Sequence, residues 1–161
     1  VSGYTTATFV GNINDQVSQE SEDYRIYDNL DDWSKISYRS DNWYLDSNNP
    51  YNGFDHDYSR ARRTKKSSEY IVYKLDNIND FRASIYYYKV LDGIRFEVSN
   101  DGENWNQIDY QYDSPRLTGG YWENINVYPA NQLPEGVNYL KIIFDQGDRR
   151  WDKQLSSIKI N

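Results

Sequence analysis

The stretch FDHDYSRARRTKK, residues 54 to 66, sets two aspartates ahead of five cations in a chain whose formal net charge is -7. Asp55 and Asp57 fall in a loop rich in Gly and Asn, NNPYNGFDHD, where carboxylate, amide and backbone oxygens can gather on a hard cation such as calcium. They are the candidate metal ligands. The spacing is not that of an EF-hand, and a metal-free turn stays open beside this reading. His56 between them is the only histidine, and there is no cysteine. That composition removes the usual zinc sites, a thiol nucleophile and any disulfide framework. His56 is read as exposed.

The cations run on into a strand-like segment. Alternation places Arg60, Arg62, Thr64 and Lys66 on one face, with Ala61, Arg63 and Lys65 on the other. The plain reading is an edge strand protected by charge. The sharper one has Arg62 or Arg63 gripping ligand hydroxyls or a carboxylate, since a guanidinium can hold a carboxylate with two parallel bonds. Arg116, Arg149 and Arg150 would join them from loops. An anionic polymer fits this reading, though a neutral one fits too. Nucleic acid does not, because it requires a basic field over much of a face.

Aromatic residues are the second chemical resource. Tyr, Trp and Phe make up 17% of the chain, and tyrosine alone occurs 17 times. A flat, electron-rich ring can stack on the apolar C–H face of a pyranose, while Asn, Asp, Gln, Arg and Lys meet the hydroxyls around it. Trp105 and Trp33 are assigned to packing. Trp43, Tyr44, Tyr86, Tyr88, Trp122 and Trp151 stand in polar stretches or on polar-facing positions and are the candidate platforms, with packing as the alternative for each. Catalysis finds no motif: His56 is alone, no Gly-rich phosphate loop occurs, and no carboxylate pair is marked as an acid and base.

Strands must position these groups. In GIRFEVSNDGENWNQI, Ile94, Phe96 and Val98 alternate with Arg95, Glu97 and Ser99, and Asp101-Gly102 signals a hairpin with Trp105 opening the return. YLKIIF turns Leu140, Ile142 and Phe144 to one side. FRASIYYYKV turns Phe81, Ala83, Ile85 and Tyr87 inward, leaving Tyr86 and Tyr88 with Arg82 and Ser84. EYIVYKL, YWENINVYP and QLSSIKIN complete the set, and TATFV is a short strand-like run in a lead-in of residues 1–23. Many short strands without helices imply an antiparallel β-sandwich, most simply a jelly roll, over residues 24–161. No apolar run approaches the ~18 residues of a membrane helix.

Several stretches carry a resemblance. DNLDDWSKISYRSDNWYLD, FDHDYSRARRT, EYIVYKL, FEVSNDGENWNQI, NYLKIIF and WDKQLSSIKI resemble carbohydrate-binding modules with a galactose-binding-domain-like fold. The S-x-DG-x-x-W pattern is shared with discoidin-type domains that take other ligands. The resemblance implies a β-jelly roll and a non-catalytic role on a polysaccharide. It also implies an attached glycoside hydrolase or polysaccharide lyase in a secreted bacterial protein, and a structural calcium ion, although NGFDHDYS departs from the family's usual calcium loop. The partners expected are therefore a polysaccharide and a catalytic domain, with no nucleic acid or membrane, and the module is expected to be a monomer. A cell-surface adhesin or protein-interaction domain on the same fold is the alternative.

Overall fold

The computed structural model describes residues 24–47 and 53–161. The lead-in of residues 1–23, with the strand expected at TATFV, and residues 48–52 of the Asn-rich loop lie outside the described residues. Strands and turns account for the described chain, which contains no helix.

Two antiparallel sheets form a sandwich. The larger holds, in spatial order, β10 (Arg116–Gly119), β11 (Trp122–Pro129), β6 (Phe81–Tyr88), β13 (Lys153–Ile160), β4 (Arg60–Arg63) and β3 (Trp43–Asp46). Two short strands join it, β1 (Ile26–Asp28) on β13 and β9 (Tyr110–Tyr112) on β11. The smaller sheet runs β2 (Tyr38–Arg39), β5 (Glu69–Lys74), β12 (Tyr139–Phe144), β7 (Ile94–Ser99) and β8 (Asn106–Ile108).

Period-two alternation decides which side chains close the core. Phe81, Ala83 and Ile85 of β6 are fully buried while Arg82 is exposed. Opposite them, Leu140, Ile142 and Phe144 of β12 and Phe96 of β7 point inward, and Phe81 stacks on Phe96 across the sheets at 4.9 Å. Each such ring contributes roughly 1.5–3 kcal/mol by leaving water. One polar contact also crosses the core: the Tyr73 hydroxyl donates to Asp28 Oδ2 at 2.8 Å, and Leu30 N donates to Oδ1 at 2.9 Å. Burial, reinforced by the Asp28 charge, holds the Tyr73 phenol protonated well above the usual range.

Two placements differ from the sequence reading. Trp43 is 7% exposed and lies in the core, 5.6 Å from the Phe144 ring. Its indole N–H donates to Ser40 Oγ and the Tyr70 carbonyl at 3.0 and 3.1 Å. The register explains this, because Trp43 pairs with Arg63 and both turn inward, whereas Tyr44 pairs with Arg62 and turns out. Trp105 precedes β8 rather than opening it. It keeps a packing role, but on the outer face of the smaller sheet, beneath Lys141 at 3.9 Å.

Candidate functional site

Register assembles one rung across the outer face of the larger sheet. Tyr44 pairs with Arg62, Arg62 with Gln154, Gln154 with Tyr86, Tyr86 with Asn124, and Asn124 with Arg116. Tyr88 and Trp122 form the next rung toward the rim. So Tyr86, Tyr88, Trp122 and Arg116, read separately from sequence, stand on one face.

Part of that face is covered by the chain itself. The turn at residues 53–57 lies over it, closed by Asp57 N donating to Phe54 O at 2.7 Å, with Asp55 and His56 at φ of 49° and 60°. Gly53, at φ 91°, passes so close to Gly119 that a Cβ there would meet the Gly119 carbonyl and the Trp122 ring at 2.8 Å. Only glycine permits that approach. Phe54 then seats against Trp122 at 4.7 Å and Tyr86 at 5.3 Å, with the Arg60 guanidinium 3.9 Å from its other side. The Tyr86 hydroxyl donates to Phe54 O at 3.1 Å. Tyr86 is left 4% exposed and Trp122 8%. Both face away from the core, and both are packed. Burial, with the Asp57 and Asp55 charges, pushes the Tyr86 phenol up to about 12. Phe54, Arg60 and Gln154, which complete this cluster, were not singled out as site residues from sequence.

The arginines of β4 divide by face. Arg63 is fully buried, donating to the carbonyls of Ser67 at 2.9 Å and Asp145 at 2.6 Å and to Asp152 Oδ1 at 2.8 Å. It also reaches the Arg149 carbonyl at 3.2 Å, so it ties the β4–β5 loop to the β12–β13 loop, and it offers nothing to solvent. Arg60 is buried as well, with Nε donating to Gln154 Oε1 at 3.0 Å. Arg62 alone of the three is half-buried, paired with Asp46 at 2.8 Å and lying 4.8 Å over Tyr44.

Asp55 and Asp57 do not share a centre. Asp55 pairs with Arg116, whereas Asp57 accepts from Ser59 N at 3.1 Å and Ser156 Oγ at 2.5 Å. Burial raises the Asp57 carboxyl above its ordinary range. Among the described residues no three acidic or histidine side chains gather as a cation cage. Among the described residues, the Asp55 and Asp57 side chains do not converge on one cation position.

Beyond the Phe54 plug the aromatic cluster opens to solvent. Trp151, half-buried, stands 5.0 Å from Tyr88 and 5.9 Å from Trp122, and Tyr121 is 5.9 Å from Tyr88 and 63% exposed. Two cations lie on these rings. Lys89 Nζ is 4.4 Å from Tyr121 and 5.2 Å from Tyr88, and the Arg149 guanidinium is 5.4 Å from Tyr88 and 5.5 Å from Trp151. Lys89 is held at φ 64° by its N–H bond to Tyr121 O at 2.9 Å.

Beside the rings lies a cleft of about 240 Å³, lined by Tyr88, Lys89, Asp92, Asp148, Arg149 and Asp152 among others. Arg150 is exposed in the same loop. Half-open rings next to clustered donors and acceptors can bind a polyhydroxylated ring by stacking and hydrogen bonding. Tyr121 and Lys89 were missed from sequence. Tyr121 shares its strand phase with Glu123, yet sits in the turn before β11, where phase does not apply.

No family model matches the chain, and no curated protein does. Among solved structures it is similar to a carbohydrate-binding module from Cellvibrio mixtus lichenase 5A in complex with cellotriose. The identity is 11% over 86% of this chain and 97% of that one, with a TM-score of 0.43. It is also similar to CBM35 from Paenibacillus barcinonensis, at 12% identity over 79% and 94%, with a TM-score of 0.40. The sandwich itself rests on the strands described above. No helix among the described residues is long and apolar enough to cross a membrane.

Proposed function

We propose that this domain binds carbohydrate without cleaving it, at the rim formed by Tyr88, Tyr121 and Trp151 and in the polar cleft beside them. The observation that carries the reading is the juxtaposition of half-open rings with that cleft. A sugar ring presents an apolar face and a polar edge, and this rim offers a partner for each. The family resemblance of the sequence supports the wider role. In the parent protein, outside the cell, the monomeric module keeps an attached glycoside hydrolase or polysaccharide lyase close to its polymer, raising the effective concentration.

Native electrophoresis through gels containing galactomannan, xylan, mixed-linkage β-glucan or polygalacturonate tests the binding. At least one polymer should retard the protein, and Tyr121→Ala and Trp151→Ala should run nearer their free mobility while remaining folded. Free mobility of the wild type in every gel, or full retardation of both variants, would overturn the site.

A further inference from the structure

We infer that the rim selects a polysaccharide bearing uronate carboxylates, a conclusion that rests on the carbohydrate-binding reading and names its ligand class. The argument starts from how charge is matched around the cleft. Asp152 is met by buried Arg63 at 2.8 Å, and Asp92 by buried Lys153 at 3.5 Å. Those two acids are thus balanced from beneath. At the cleft surface this leaves Lys89 and Arg149 with a single remaining carboxylate, that of Asp148.

Neither Lys89 nor Arg149 forms an ion pair among the described residues. Both lie instead on the rings a sugar would stack against. On the sheets Arg62, Arg95 and Lys141 are each matched by a carboxylate, Asp46, Asp145 and Glu97. Lys74, Arg82 and Lys159 lie on rings without an ion pair among the described residues but, unlike Lys89 and Arg149, do not line the cleft. A neutral polymer would leave the two rim cations without a counter-charge. A uronate seated on the rings brings its carboxylate to them, and the bond gained is charge-assisted. In a protein of net charge -7, attraction to a polyanion must come from local cations, because the field of the whole molecule opposes it.

The test compares polygalacturonate with its carboxyl-reduced form, galactomannan and dextran sulfate, using the wild type, Lys89→Gln, Arg149→Gln and the double variant, each checked for an unchanged melting temperature. Retention should be strong on polygalacturonate and weak on the reduced polymer. Each single variant should weaken it about two- to fivefold, as for exposed charge contacts. Equal retention on reduced and native polymer, unaltered by the variants, would overturn the uronate inference and leave carbohydrate binding intact. Failure on all carbohydrate gels would remove both. Retention on dextran sulfate as strong as on polygalacturonate would also overturn it, showing charge attraction without recognition of the sugar acid.

Discussion

Two surfaces of this sandwich carry aromatic rings and cations in similar proportion, yet they are built differently. On the outer face of the smaller sheet, Tyr38 meets Tyr70 at 6.3 Å and Trp105 meets Tyr139 at 6.2 Å. Lys141 bridges the two pairs, 5.2 Å from Tyr70 and 3.9 Å from Trp105, while pairing with Glu97 at 3.5 Å. Gly102 comes so near Tyr139 that a Cβ would stand 3.0 Å from its ring. Tyr38 is 40% exposed and Tyr70, Trp105 and Tyr139 are half-buried, so these rings are partly open too, but the cation between the pairs is matched. At the rim, Tyr121 is open and Lys89 and Arg149 have no carboxylate partner among the described residues. What sets the rim apart is the cleft beside its rings, lined by Lys89 and Arg149.

The largest expected effect removes the anchor of the rim. Arg63→Ala withdraws a buried cation from two loops and leaves Asp152 with a weaker counter-charge. Breaking a buried pair costs about 3–5 kcal/mol, so urea unfolding should show a loss of that order. A change below 1 kcal/mol would mean the loops hold themselves. Arg62→Ala, on the opposite face and partly screened, should cost under about 1 kcal/mol.

Next comes the contrast between the two surfaces. Trp151→Ala should weaken polymer binding by about 1–3 kcal/mol, the range for a truncated contact residue, with little loss of stability. Trp105→Ala should do the reverse, leaving binding unchanged and lowering the melting temperature, because Trp105 packs under Lys141. If the two variants exchange these phenotypes, the sites have been assigned to the wrong surfaces.

A pH effect is expected at the smaller sheet. Asp101 accepts from the backbone N–H groups of Asn104 and Glu103, both at 2.8 Å, and from the Asn104 amide, and these bonds hold its carboxyl far below the ordinary range. A depressed folded pKa contributes stability at neutral pH that is lost as pH falls below about 4, where the unfolded carboxyl protonates first. Asp101→Asn should flatten that part of the acid stability profile without touching binding. A wild-type profile already flat below that pH would contradict the cap.

The smallest effect concerns calcium. A site at Asp55 and Asp57 would raise the melting temperature on adding the ion to chelated protein, by mass action. With Asp55 turned to Arg116 and Asp57 to Ser156, the expected shift is nil. A rise of several degrees would restore the sequence reading of that loop.

The strands were legible because alternation is local: Ile94, Phe96 and Val98 announce their own inner face. Tyr86, Tyr88 and Trp122 were read correctly as facing away from the core for the same reason. Their burial was not legible. It depends on Phe54, more than 30 residues away from Tyr86 in the chain, folding back onto them. Trp43 shows the complementary failure. Its polar neighbours in SDNWYLD suggested exposure, yet strand register with Arg63 decides its face, and register is a pairing property. Arg63 likewise looks like a ligand arginine in sequence and becomes a loop clamp only once Asp145 and Asp152 arrive beside it.

The most direct test watches all five tryptophans at once. Indole N–H signals in a nitrogen-15 correlation spectrum, assigned by single Trp→Phe variants, can be followed while adding oligosaccharides from whichever polymer the gels retain. The Trp151 signal should move most and its neighbour Trp122 less, while Trp43, Trp105 and Trp33 stay in place. Movement of Trp105 with Trp151 still would place the binding surface on the smaller sheet and contradict the account.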